Sequence, residues 1–160
     1  MIPDFVSDLR KVVGPDWPLW LPGVVGVVVD EEQRVLLQRR SAAGLWTPLS
    51  GILEPGEAPA AAVVREVAEE TGVRVVVDRL VAVTSSPQVR HSNGHVAQYF
   101  EVVFACCPAE AGQSPRVCDD ESYAVGWFPL DGLPPMTDRM RELIELVGKN
   151  EPQAWFAPAP

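Results

Sequence analysis

One segment limits what this chain can fold into more than any other: Gly51-Ile52-Leu53-Glu54-Pro55-Gly56-Glu57-Ala58-Pro59, running on through Arg65-Glu66-Val67-Ala68-Glu69-Glu70-Thr71-Gly72-Val73. Pro59 suits the first turn of a helix and Gly72 the left-handed residue just past its end, so a helix is predicted over about residues 58–71. On a wheel of about 100° per residue, Glu66, Glu69 and Glu70 share an arc of roughly 100°. Ala60, Ala61, Val64, Val67, Ala68 and Thr71 fill the arc from about 100° to 220°, the face expected to pack on a sheet. The opposite face presents only acid. Like charges three and four residues apart cost a few tenths of a kcal/mol per pair, and acids in the last turns meet the negative end of the helix dipole. Arg65 relieves only part of this. A divalent cation reverses the sign, since hard Mg²⁺ takes oxygen ligands and keeps waters and substrate phosphates as the rest of its shell. An acidic face alone is more often a solvated surface, so the weight falls on its spacing.

Strands surround this helix. Val24 to Asp30 and Arg34 to Arg40, separated by a turn at Asp30-Glu31-Glu32-Gln33, are expected to form an antiparallel pair. Val75 to Ser85 and Val96 to Cys106 read as long strands. Between them, Asn93-Gly94 within His91-Ser92-Asn93-Gly94-His95 is a hairpin signal, because both residues tolerate positive φ. Tyr123 to Phe128 is a last short strand. Phe5, Leu9, Val12 and Val13 recur at helical spacing over about residues 4–13. Thr137 to Val147 closes with a helix capped by Thr137 and stopped by Gly148. Pro15, Pro18 and Pro22 are expected to break the chain into a loop carrying Trp17 and Trp20, and residues 151–160 read as an irregular tail. The class is α+β, with helices packed on a sheet.

A chain of 160 residues fits one compact domain. Thirteen Lys and Arg against twenty-two Asp and Glu leave a net charge of −9. This argues against a nucleic-acid polymer or an anionic membrane as partner through bulk electrostatics, while leaving room for a nucleotide delivered with a cation. The longest apolar stretch, Leu21 to Val29, is too short to span a bilayer. No leader pattern opens the chain at Met1-Ile2-Pro3-Asp4. Cys106, Cys107 and Cys118 are odd in number without C-x-x-C spacing. They are expected to be free small hydrophobes in a reducing cytoplasm.

The spacing reads G-x(5)-E-x(7)-R-E-U-x-E-E-x-G-U, with U apolar: Gly51, Glu57, Arg65, Glu66, Val67, Glu69, Glu70, Gly72 and Val73. Seven fixed residues at roughly 7% usage each give a chance match on the order of 10⁻⁸ per window. Here the chain resembles the Nudix hydrolase family, at every defined position of its signature. The likeness extends to Val24–Asp30, Val35–Arg40, Gly44-Leu45-Trp46 and Trp127–Pro134, about residues 22–147 in all.

The resemblance implies an α/β/α sandwich with a mixed β-sheet flanked by helices. It divides the chain into an extension (1–21), the family domain (22–148) and the tail (149–160). It also implies hydrolysis of a diphosphate linked to a nucleoside or other group, with Mg²⁺ or, as a substitute, Mn²⁺. Carried over by motif, Glu66 and Glu70 are metal ligands, Glu69 adds a ligand or orients water, and the carbonyl of Gly51 is a further ligand. Glu57, Arg65 and Gly72 are structural, the first two as an ion pair tying loop to helix. For the general base, the run Asp119-Asp120-Glu121 is the source expected here, with Glu121 favoured. Arg40 resembles a phosphate contact, and Trp46 and Tyr99 are candidates to stack on a base. Ser50-Gly51 stands where many members carry two glycines, and a metal role for His91 and His95 lacks a third ligand. The substrates expected are small nucleotides, ADP-ribose-type sugars or (deoxy)nucleoside triphosphates. A catalytically silent nucleotide sensor is the alternative, and an isoprenoid diphosphate isomerase a third, without a cysteine in a recognisable context. The N-terminal helix, Trp17, Trp20, Trp155 and Phe156 add apolar surface, from which a homodimer is expected.

Overall fold

The computed structural model describes residues 3–40, 44–91 and 93–156. Residues 1–2, Ser92 of the expected hairpin and 157–160 of the expected tail lie outside them. The elements are helix α1 (Asp4–Val13), strands β1 (Leu19–Val28), β2 (Arg34–Arg39), β3 (Trp46–Thr47) and β4 (Leu49–Ile52), helix α2 (Pro59–Thr71), strands β5 (Val75–Ser85), β6 (Val89–Arg90), β7 (Val96–Pro108) and β8 (Ala124–Pro129), a 3₁₀ turn at Leu130–Gly132, helix α3 (Asp138–Gly148) and strand β9 (Trp155–Phe156).

The larger sheet runs β4-β1-β7-β5-β9, with β6 also on β7; the smaller runs β3-β2-β8. β1 and β7 are parallel over their full register, Leu19 opposite Ala97 to Val28 opposite Cys106. Successive side chains of a strand face opposite ways, so β1 feeds two cores. Val24 and Val28 pack with Leu49, Val63, Val67 and Phe104 under α2. Val25 and Val27 pack with Val35, Leu37, Leu143 and Ile144 of β2 and α3. A Cβ at Gly26 would stand 2.7 Å from Val63 Cγ2, so α2 rests directly on the β1 backbone. Val6 of α1 meets Leu19, Leu21 and Ala97 on the face opposite α2. The result is the α+β architecture expected, a mixed sheet with helices on both faces.

Several local expectations change. β1 and β2 do not form a ladder: a single bridge, Val29 to Val35, joins them before they enter different sheets. β4 and β7 already occupy both edges of β1, so β2 pairs with β3 and β8 instead. β1 starts at Leu19 and runs through Pro22, shortening the expected loop. The turn at Gly94 (φ 83°) leads from the short β6 into β7. Gly148 belongs to α3, while the left-handed residue beyond it is Asn150 (φ 50°). The tail is not wholly irregular, since Trp155 and Phe156 pair with Ala82 and Val83 on the edge of β5. The three cysteines are free, but only Cys106 is buried; Cys107 and Cys118 are exposed.

The face of α2 is the largest correction. Ala60 and Ala61 are exposed, and the buried set is Ala62, Val63, Glu66, Val67, Glu70 and Thr71. Contact between Val63 and Gly26 turns two of the three acids inward, where basic and amide side chains meet them.

Candidate active site

β4 is an edge strand, and α2 lies across it. A Cβ on Gly51 would fall 2.0 Å from Glu66 Cδ, so the missing side chain is what lets the Glu66 carboxylate reach the strand edge. Glu66 and Glu70 are only 3% and 2% exposed. Burial raises the pKa of both, that of Glu70 to about 7, because the charged form loses hydration. Glu69, one turn from Glu66, is exposed.

Arg65 organises one half of this edge. Its Nε and Nη2 donate to the two carboxylate oxygens of Glu57 at 2.8 and 2.9 Å, and Nη1 donates to Glu66 at 2.9 Å and Glu69 at 3.2 Å. Nη2 also reaches the Ile52 carbonyl at 3.3 Å. Glu57 in turn accepts from the Glu54 N–H at 3.0 Å, which ties the loop between β4 and α2 to the helix. The guanidinium hydrogen bonds hold the Glu57 carboxyl below its ordinary pKa and Arg65 firmly charged. Gly72 ends α2 at φ 69°, its N–H donating to the Ala68 carbonyl.

Arg40 organises the other half. Its Nη2 donates to Glu70 Oε1 at 2.8 Å and to the Ser50 carbonyl at 3.1 Å, and its Nη1 lies 3.7 Å from Glu121 Oε2. Gln38 Nε2 donates to the other Glu70 oxygen at 2.9 Å, while Gln38 Oε1 accepts from Ser122 Oγ at 3.0 Å. Asp119 Oδ2 is buried there without a hydrogen-bond partner among the described residues, and its charge adds to the upward shift of Glu70. Gln38 and Ser122 were not anticipated. The signal was a polar residue inside the apolar run Val35-Leu36-Leu37.

A cavity of about 960 Å³ opens beside this edge. Gly51, Glu66, Arg40 and Glu121 line one end, and Gly23, Tyr99 and Glu101 form part of its floor. Tyr99 is half-buried, its hydroxyl 2.8 Å from His91 Nε2. Burial raises the pKa of the phenol and lowers that of the imidazole. Trp46, a candidate to stack on a base, is not among the described residues of the cavity wall. Its ring packs edge-on against Phe128 at 4.5 Å between centroids, and Arg39 lies 5.4 Å over it. β3 pairs with β2 in the smaller sheet, and that carries the indole into the core beneath α3.

By donor type the edge suits a hard divalent cation: two buried carboxylates whose ionised forms are disfavoured, the unpartnered oxygen of Asp119, and the Gly51 backbone. The carboxylates are divided between two guanidinium groups. Among the described residues, no three His, Cys, Asp or Glu side chains gather at one point, His91 and His95 included.

The NUDIX domain family model matches residues 20–147. The chain is 38% identical over 142 residues to a MutT-like protein of Streptomyces ambofaciens, covering 89% of this chain and 82% of that one. It is 32% identical over 111 residues to a putative ADP-ribose pyrophosphatase of Bacillus subtilis, covering 69% of this chain and 51% of the relative. Among solved structures, an ADP-ribose pyrophosphatase from Streptococcus suis superposes with a TM-score of 0.60 at 25% identity, over 84% of this chain and 96% of that one. With the signature on β4 and α2, and a domain match spanning all but the termini, the chain belongs to the Nudix hydrolase family.

Proposed function

We propose that the chain is a Mg²⁺-dependent pyrophosphohydrolase that cleaves the diphosphate of a nucleoside diphosphate derivative, either an ADP-ribose-like sugar nucleotide or a (deoxy)nucleoside triphosphate. The observation that carries this reading is the buried pair Glu66 and Glu70 beside the side-chain-free edge at Gly51, with Glu66 and Gly51 lining one end of a nucleotide-sized cavity. Glu66, Glu70, the Gly51 carbonyl and, directly or through water, Glu69 are the groups that would hold the ion. A divalent cation there supplies charge neutralisation for the diphosphate and lowers the pKa of a water.

The protein's own side chains do the rest. Arg65 fixes Glu66 and the loop before α2, so the carboxylate does not have to be organised during reaction. Arg40 stands between Glu70 and Glu121, within reach of an anionic phosphoryl group entering the cavity. Glu121, which lines the same cavity, would accept the proton of the attacking water. Water adds to one phosphorus, the bridging P–O bond breaks, and two phosphorylated products leave. Gln38 and Ser122 orient Glu70.

A panel of diphosphate substrates assayed with Mg²⁺ and with Mn²⁺, scoring released phosphate or monophosphate, tests this reading. Turnover by the wild type that falls at least about 100-fold in Glu70→Gln supports it; unchanged turnover in the variant refutes the ligand assignment. The exposed Trp17 and Trp20, the latter edge-on to Phe100, support the homodimer reading. A light-scattering mass of one chain at micromolar concentration would end it.

A further inference from the structure

Glu101 and Arg139 are not part of the family signature, yet both line the same cavity. Glu101 sits on β7 and is 8% exposed; Arg139 of α3 donates through Nη2 to its Oε2. Arg139 Nε is buried with no hydrogen-bond partner among the described residues. A half-buried ion pair in a wall that also contains Val6, Leu21 and Ala97 adds little stability, because desolvation offsets much of the attraction. An unmatched N–H beside it makes the balance worse.

Sheet register gives this pair its place. Ile52 of β4 lies opposite Gly23 of β1, and Gly23 lies opposite Glu101 of β7. Two interstrand steps of about 4.8 Å put Glu101 roughly 10 Å across the sheet from the rung next to Gly51. Between them the floor is Gly23, which has no side chain to obstruct a ligand. Leu21, Gly23, Tyr99 and Glu101 share this face by alternation, with α1 covering one end and α3 the other. A ligand whose diphosphate lies at Gly51 and Glu66 can extend over Gly23 and reach Glu101 and Arg139 with its far end. In a nucleotide the group at that span is the base edge; the ribose lies nearer the phosphate.

We infer that Glu101 and Arg139 form the base-reading subsite of this cavity, taking a nucleobase edge that offers an N–H donor beside an acceptor. The Glu101 carboxylate accepts from the base N–H or exocyclic amine, and the Arg139 guanidinium donates to the neighbouring ring nitrogen or carbonyl. The inference rests on the hydrolase reading only for the position of the diphosphate.

Two measurements test it. The first is kcat/KM with Mg²⁺ for ATP, GTP, CTP and UTP, their deoxy forms and ADP-ribose, in the wild type and Glu101→Gln. Gln keeps the shape and a bond to Arg139 but lets the side chain present a donor where an acceptor is needed. The expected result is a loss of at least about tenfold on the preferred base, mainly in KM, with discrimination among bases compressed. A loss that is equal on every substrate, an unchanged profile, or a change only in the ribose-to-deoxyribose ratio overturns it.

The second is calorimetric binding of AMP, GMP, CMP and UMP in EDTA to the wild type, Glu101→Gln and Arg139→Lys. The wild type is expected to favour one base and both variants to lose that preference, with thermal melts showing that each variant is folded. No base preference in the wild type overturns the inference. Absence of turnover on every diphosphate, with base-selective binding of the monophosphates intact, sinks the hydrolase reading and leaves this one standing.

Discussion

The two ends of the cavity are built in opposite ways. The Gly51–Glu66 end comes from 22 consecutive positions, 51–72, on one strand, one loop and one helix. The Arg65 ion pairs there run between residues at most eight apart in sequence, as in Arg65 to Glu57, while Arg40 reaches Glu70 and Glu121 from outside the segment. The Glu101–Arg139 end joins a strand and a helix 38 positions apart. On the proposed reading, the diphosphate is the part common to every substrate, so a local, repeatable cradle would serve it. The group beyond the diphosphate varies, and the subsite inferred for it is built from residues that only the complete fold brings together.

The sharpest way to break this contrast is Gly51→Ala. An added Cβ has no room against the Glu66 carboxyl. Hydrolysis should drop at least about 100-fold in kcat/KM, with a cost of about 1–3 kcal/mol in a urea melt from overpacking. Full activity would mean that Glu66 does not act through this edge. Next comes Arg65→Ala, which strips partners from Glu57, Glu66 and Glu69 together. It should lower stability by about 3 kcal/mol, since carboxylates are left buried without their cation. If base discrimination among substrates also collapses, the two ends are not separable.

A smaller effect concerns pH. The Glu70 carboxyl in the folded protein titrates at about 7, above its ordinary 4.5, because of burial. Its favourable share of stability in the metal-free protein is therefore full below about pH 4.5 and is lost as pH rises through 7. Relative to Glu70→Gln, the wild type in EDTA should be less stable at pH 8 than at pH 5, on the order of 2 kcal/mol. A difference that does not move with pH would contradict the burial of that charge. Smallest is Trp46→Phe, which should cost about 1 kcal/mol in stability and leave KM unchanged, because the indole packs on Phe128 away from the cavity.

The same contrast explains what the sequence disclosed. Helix α2, its Gly72 end and the clustered acids were legible because spacing along a few turns encodes them. Which face of α2 is buried was not. A wheel counts Glu66 and Glu70 as polar, whereas Arg65, Arg40 and Gln38 arrive from other elements to make their burial tolerable. The β1–β2 hairpin misled for a related reason: the turn at Asp30 is real, its carboxylate capping the Glu32 and Arg34 N–H groups, but turn chemistry does not say which strand wins the edge of β1. Trp46 was open to stacking or packing by sequence, and β3 takes it under α3. Glu101 and Arg10 sit in otherwise ordinary apolar patterns, and only tertiary contact marks them. Arg10 is buried in α1, where it donates to the Gly14 and Trp17 carbonyls and, across the chain, to Val96.

The parallel pairing of β1 with β7 has a consequence for how the protein comes together. Its partners are separated by 78 positions, from Leu19 to Ala97, so the loop it closes contains the entire signature. Closing so long a loop is entropically slow compared with winding a helix. The acidic turn can therefore coil early while its carboxylates stay hydrated, and they become dehydrated only once the central ladder zips. On the proposed reading, an ion that requires both dehydrated oxygens would recognise the finished molecule and not its precursors, so added magnesium is expected to raise the stability of the native state.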